Sequence, residues 1–329
     1  MTDGAADTGP DAGGNRLEHA PITFFATVMG LAGLTLALHA AETAFGWRPL
    51  ASQAARIVTI ADFLAVAVLY GAKALRHPRA VAEEWNHPVR LAFFPAVSIS
   101  LLLIAVTLLA DNRGAAHVLW VLGAAGQGVL TLAVISGWIG TRSFQHGHLN
   151  PAWFIPAVGN VIVPVAGVPL GYLELSWLFF SAGMMFWVVL LTLVFNRLVF
   201  HDPLPGRLQP TLVILIAPPA VAFVAWLRLT GGQVDPMAHV LLSLAYVFAA
   251  LVAVQAPKLA RLPFALSFWA LSFPIAALTI ASFAYARAAG SVAHAWIGAA
   301  LLLLLIAVIL GLVGRTLLAI RRGDICKPE

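Results

Sequence analysis

Long apolar runs broken by short polar gaps repeat along almost the whole chain. Ten runs are long enough to cross a bilayer as helices, at about 20–45, 54–75, 88–110, 116–140, 152–171, 174–200, 208–229, 237–256, 263–286 and 292–319. Each approaches or exceeds the roughly 20 residues that a spanning helix needs. Barrel strands would instead alternate in polarity over about ten residues, and no long stretch here does so. The pattern predicts an all-α integral membrane protein with ten transmembrane helices spanning 19–320. Residues 1–18 have no apolar period and carry Asp3, Asp7 and Asp11. They predict a disordered tail without the basic start of a signal peptide. Residues 321–329 predict a short C-terminal extension.

Composition agrees with this reading. Of 329 residues, 61% are hydrophobic and 10% charged, against about 45–50% and 25% in soluble domains. The single cysteine, Cys326, excludes an internal disulfide and any multi-cysteine metal site. The pI near 9.9 would suggest nucleic acid in a soluble protein, but the charges sort by loop. Five of the 19 Lys and Arg residues (Arg48, Arg56, Arg113, Arg228 and Arg287) fall on one side, and the other 14 fall on the side of both termini. The positive-inside rule then places both termini in the cytoplasm. No nucleic-acid partner is expected.

Prolines divide the spans into two classes. Each odd-numbered span opens near a proline: Pro21, Pro88, Pro151, Pro210 and Pro263. Among the even spans only the eighth has a comparable one, Pro236. Interior prolines fall on odd spans and the even spans have none: Pro95 in the third; Pro156 and Pro164 in the fifth, with Pro169 near its end; Pro218 and Pro219 in the seventh; Pro274 in the ninth. Span one carries Gly30 and Gly33 instead. An interior proline removes a backbone bond and costs about 3 kcal/mol. In lipid, the freed carbonyl needs a protein or water partner. The odd helices should therefore lie inside. The expected architecture is five helical hairpins, with an inner ring of five kinked odd helices around a central pore and five even helices outside. Gly30, Gly33, Pro95, Pro164, Pro218 and Pro274 are the expected pore-lining kinks.

Charge inside the spans is scarce. Asp62 in span two is the clearest case, and its simplest role is a structural hydrogen bond near the outer interface. His39 and Glu42 lie near the outer end of span one. The odd helices have no mid-span Lys, Arg, Asp or Glu. A cation pore would want acidic rings or ordered carbonyls, and a proton pump a chain of carboxylates and histidines. A neutral pore still passes anions, because weak binding lets ions leave, and kinked helices turn positive dipole ends inward. Histidines such as His77, His87, His146, His148, His201 and His239 lie in loops or near span ends. No haem, metal site or other cofactor is expected. No nucleophile–base–acid set stands out, so no catalytic residues and no enzyme activity are expected.

Several motifs look familiar together. They are Met29-Gly30-Leu31-Ala32-Gly33-Leu34, then Asn86-His87-Pro88-Val89-Arg90 with Phe93-Phe94-Pro95. Next come Asn150-Pro151-Ala152-Trp153-Phe154-Ile155-Pro156 with Gly159-Asn160, and Trp269-Ala270-Leu271-Ser272-Phe273-Pro274. In order, over about 20–320, they resemble helices one, three, five and nine of the slow-type anion channel and tellurite-resistance (TehA-like, TDT) family. The resemblance implies ten helices in five hairpins around a pore, usually as a homotrimer. It also implies a phenylalanine gate on the ninth helix, matched by Phe273, with Phe268 as runner-up. The short tails suit a bacterial inner-membrane member better than a kinase-switched plant channel. The implied function is a gated pore for small monovalent anions such as chloride or nitrate. The alternatives are a proton-coupled dicarboxylate (malate) carrier and a tellurite or sulfite efflux protein.

Overall fold

In the computed structural model, ten helices are long and apolar enough to cross a membrane. They are Ile22–Phe45, Leu50–Arg76, Arg90–Leu108, Arg113–Gly140, Pro151–Leu170, Leu173–Phe200, Gly206–Leu229, Pro236–Leu259, Leu266–Ala289 and Val292–Arg321, here spans one to ten. The structure describes residues 16–141, 144–323 and 325–326. Most of the expected tail, together with Arg142 and Lys327 of the charge count, lies outside the described residues. No strand occurs among them. Each odd span packs on the even span after it, which gives five hairpins. The odd spans also touch in a cycle: one on three, three on five, five on seven, seven on nine, and nine on one. Both described ends lie together, since a Cβ on Gly323 would sit 3.3 Å from the Arg16 guanidinium. This end is the terminal end below.

Burial separates the two classes. In the odd spans 56–78% of the apolar stretch is buried, against 17–39% in the even spans. Among the described residues, every exposed large hydrophobic within a span, such as Leu64, Leu132, Leu178, Val254 and Leu303, is on an even one. Lipid contact explains that surface, which water would not tolerate.

The prolines act differently from the expected kinks. Every odd span starts at the terminal end as a tight 3-10 helix and then relaxes to α. Pro95 is the residue just before the α-helix Ala96–Leu108. Pro164 and Pro218 lie in the first turns of Val163–Leu170 and Ala217–Leu229, and Pro274 in that of Ser272–Ala289. A missing N–H costs little there, since first-turn donors have no intrahelical partner. Gly30 and Gly33 are not kinks either: they lie within the unbroken helix Phe25–Phe45. Their lack of a side chain lets span nine approach. An added Cβ would lie 2.3 Å from Ser272 Oγ at Gly30 and 2.7 Å from Ala276 Cβ at Gly33. The even spans are not free of interior proline as expected: span eight extends further than its apolar run, so that Pro257 falls inside its last turn.

The broken stretch of span five is served from neighbouring helices. The Pro156 carbonyl accepts from Gln127 Nε2 at 3.0 Å, Thr131 Oγ1 at 2.9 Å and Asn160 Nδ2 at 3.2 Å. The Val163 carbonyl accepts from Trp120 Nε1 at 2.9 Å. Span four thus supplies the partners that freed carbonyls need inside a membrane.

A short helix, Pro78–Asn86, joins spans two and three. Its polarity hid it from the apolar-run reading. Its Glu84 is buried and accepts from Lys73 Nζ at 2.9 Å, Tyr70 Oη at 2.9 Å and the Ile22 backbone N–H at 3.3 Å. Lys73 also donates to the Ala20 carbonyl at 2.8 Å. Lys73 therefore fastens the start of span one rather than standing free as a topological charge.

Candidate functional site

Two cavities lie along the cycle of odd spans. The one nearer the terminal end encloses about 70 Å³ and draws residues from all five odd spans, including Met29, Ile99, Val158, Pro218 and Phe273. Its wall is almost wholly apolar. The Ser267 hydroxyl on that wall has no hydrogen-bond partner among the described residues.

The second cavity lies toward the other end and is far larger, about 800 Å³. Only Ile162, Val221 and Phe273 line both. Phe273 is the bulkiest of the three. Gly33 backs the ring: a Cβ added there would lie 3.5 Å from Phe273 Cδ2. The first turn of Ser272–Ala289 fixes the backbone that carries Phe273, with Pro274 beside it.

Of the two cavity walls, only that of the larger one carries charged side chains among the described residues. Arg56 pairs with Asp111 and donates to the Thr107 carbonyl at 3.0 Å. Arg228 and Arg287 stand on the same wall, with His39. Glu42 is off the wall and buried, where it accepts from the Ala51 and Ser52 N–H groups at 2.8 and 3.1 Å at the start of span two. Near the same end, Asp235 accepts from the Ala238 N–H and from Trp226 Nε1, each at 2.9 Å. The Ala238 N–H, helped by Trp226 against a smaller effect of burial, holds the Asp235 carboxyl below the ordinary range.

The other expected site residues sort as follows. Pro218 and Pro274 line the smaller cavity, whereas Gly30, Gly33, Pro95 and Pro164 are absent from both walls. Phe268 packs in a separate core cluster with Trp269 and Leu305, and lines neither cavity. Asp62 accepts a 2.6 Å hydrogen bond from Thr27 Oγ1. It lies midway along span two, not near an interface, between the Lys73–Ala20 and Glu42–Ser52 contacts. Ser267 was missed because a lone serine in an apolar run carries no signal of the direction it faces. Arg228 and Arg287 were missed as site residues because a charge count gives depth and not face.

The SLAC1 family profile, described as voltage-dependent anion channel, matches residues 19–317. The S-type anion channel SLAH3 of Arabidopsis thaliana is 30% identical over 276 residues, covering 81% of this chain and 43% of the plant protein. The tellurite resistance protein TehA homolog of Haemophilus influenzae is 28% identical over 267 residues, 80% of this chain and 81% of that one. The uncharacterized transporter MJ0762 of Methanocaldococcus jannaschii is 26% identical over 236 residues, 65% and 69% of the two chains. The chain therefore spans less than half of the plant channel, but most of the two microbial proteins. These are channels and transporters, not enzymes.

Proposed function

Because the chain belongs to the SLAC1 family of voltage-dependent anion channels, we propose that it is a gated, passive pore for small monovalent anions such as chloride and nitrate, closed at Phe273. One observation carries this reading: Phe273 is the bulkiest of three residues shared by two cavities that are otherwise separate. Ions would cross an uncharged stretch between them, so selectivity would follow dehydration cost and width rather than fixed charge. Nitrate, more weakly hydrated than chloride, should then pass at least as well. Both termini would be cytoplasmic, and the protein would sit as a homotrimer in a bacterial inner membrane.

The test is current through reconstituted wild type and Phe273→Ala in planar bilayers, in chloride, nitrate and malate. A gate at Phe273 gives much larger anion current in the variant. Unchanged current in a folded variant rejects the gate. Saturable, proton-dependent malate uptake without channel-like current would replace the pore with a dicarboxylate carrier. Tellurite or sulfite export, read as isotope or ion loss from loaded vesicles, would identify an efflux protein.

A further inference from the structure

The larger cavity holds two charges that conduction through the apolar stretch does not use. Arg228 is in the last turn of Ala217–Leu229 and Arg287 in the last turn of Ser272–Ala289. These helices of spans seven and nine pack on each other. Both side chains are exposed and both line the larger cavity. Among the described residues, neither makes an ion pair or a hydrogen bond.

Two simpler roles fit poorly. An arginine at a helix C-terminus often binds the last carbonyls, but neither of these donates to one. A topological role fails as well, since this end carries few basic residues. Of the others, Arg56 is neutralised by Asp111, and Arg113 donates to the Pro169 carbonyl. Asp111, already paired, is the only carboxylate on the cavity wall. Two like charges brought together without a counter-ion are unfavourable. A bound anion would relieve that repulsion.

We infer that Arg228 and Arg287 form an oxyanion-capturing site in the larger cavity, suited to an anion with two carboxylate-like groups or a double negative charge. A guanidinium presents a planar fork that matches a carboxylate through two parallel bonds. Two forks match a dianion, whereas chloride gains only from charge. The site also raises the local anion concentration in the cavity that Phe273 helps to line. Only this second role rests on the pore reading. Capture itself does not.

The experiment therefore has two arms. In the first, purified full-length protein in detergent at low ionic strength is titrated with succinate, acetate or chloride. Thermal unfolding and tryptophan fluorescence are followed. Succinate should raise the unfolding temperature saturably, at roughly tenfold lower concentration than acetate. Arg228→Gln/Arg287→Gln should abolish the difference. Arg228→Lys/Arg287→Lys should keep a weak charge response and lose the succinate preference. Identical succinate responses in wild type and the glutamine variant would overturn the site. In the second arm, the same glutamine pair is placed in Phe273→Ala and recorded in bilayers. Current at low chloride should fall several-fold, and the deficit should vanish at high salt as the charges are screened. A salt-independent deficit, or none, would overturn the concentrating role. If Phe273→Ala passes no current, the pore reading falls and the first arm still decides capture.

Discussion

The two cavities share a phenylalanine and little else. On the terminal side the wall is apolar, narrow, and built from 3-10 turns and prolines. On the far side it is wide and carries an ion pair and two unpaired arginines. The five odd helices line both, with span two adding Ser52, Gln53 and Arg56 to the larger one, so the character of the odd helices changes along their length. On the proposed function the two ends would take different tasks: closure and dehydration on the apolar wall, attraction on the charged one. A pore that bound anions strongly at its narrowest point would release them slowly. Separating attraction from constriction avoids that.

The contrast breaks most directly at Phe273. Phe273→Ala should raise anion conductance by roughly tenfold or more, which needs only about 1.4 kcal/mol off the barrier. Single-channel recording checks this. Gly30→Ala should come next, since the new Cβ would lie 2.3 Å from Ser272 Oγ, one residue from Phe273. Overpacking of this kind costs about 1–3 kcal/mol, seen as a lower unfolding temperature in detergent. It should also alter closure, which would tie the packing of span one to the partition.

A third substitution asks whether the apolar side depends on its hidden hydrogen bonds. Gln127→Ala removes partners of the Pro156 carbonyl and of Ser98 Oγ. Leaving buried groups unpaired costs about 1–3 kcal/mol, and hydrogen exchange in span five should rise. Ser267→Ala tests the unpartnered hydroxyl on the apolar wall. Losing one weak contact of about 0.5 kcal/mol changes passage by about twofold, measured in the Phe273→Ala background. The smallest effect belongs to the far end. Asp235 has a depressed carboxyl, so its stabilising contacts are fully present above the ordinary carboxylate range. They are lost as pH falls through its lowered value. Acid titration of Trp226 fluorescence should show the transition, and Asp235→Asn should remove it.

The apolar runs made the ten spans readable, and the prolines told odd from even. That worked because bilayer thickness and backbone satisfaction act on residue type alone. What a proline does locally was less readable. Pro164 and Pro218 open α-helices instead of bending them, because the preceding turns wind as 3-10, and no residue marks that choice. Gly30 and Gly33 showed that backbone freedom was wanted, but not that the need was close approach to Ser272 and Ala276. Glu84 and Lys73 are 11 residues apart and belong to different helices, so their pairing depends on a turn between them. Phe273 was marked by family resemblance, since one phenylalanine among 19 has no physical signature in a chain.

The 3-10 turns also change how far a helix reaches. Such a helix rises about 2.0 Å per residue, against about 1.5 Å in an α-helix. Span seven has 11 residues of the first kind and 13 of the second. It therefore extends about 41 Å, nearly the length of the 28-residue α-helix that forms span six. Inner helices can thus match the thickness set by outer ones with fewer residues. Replacing those tight turns with α-helix would shorten span seven by about one turn and draw its polar end into hydrocarbon.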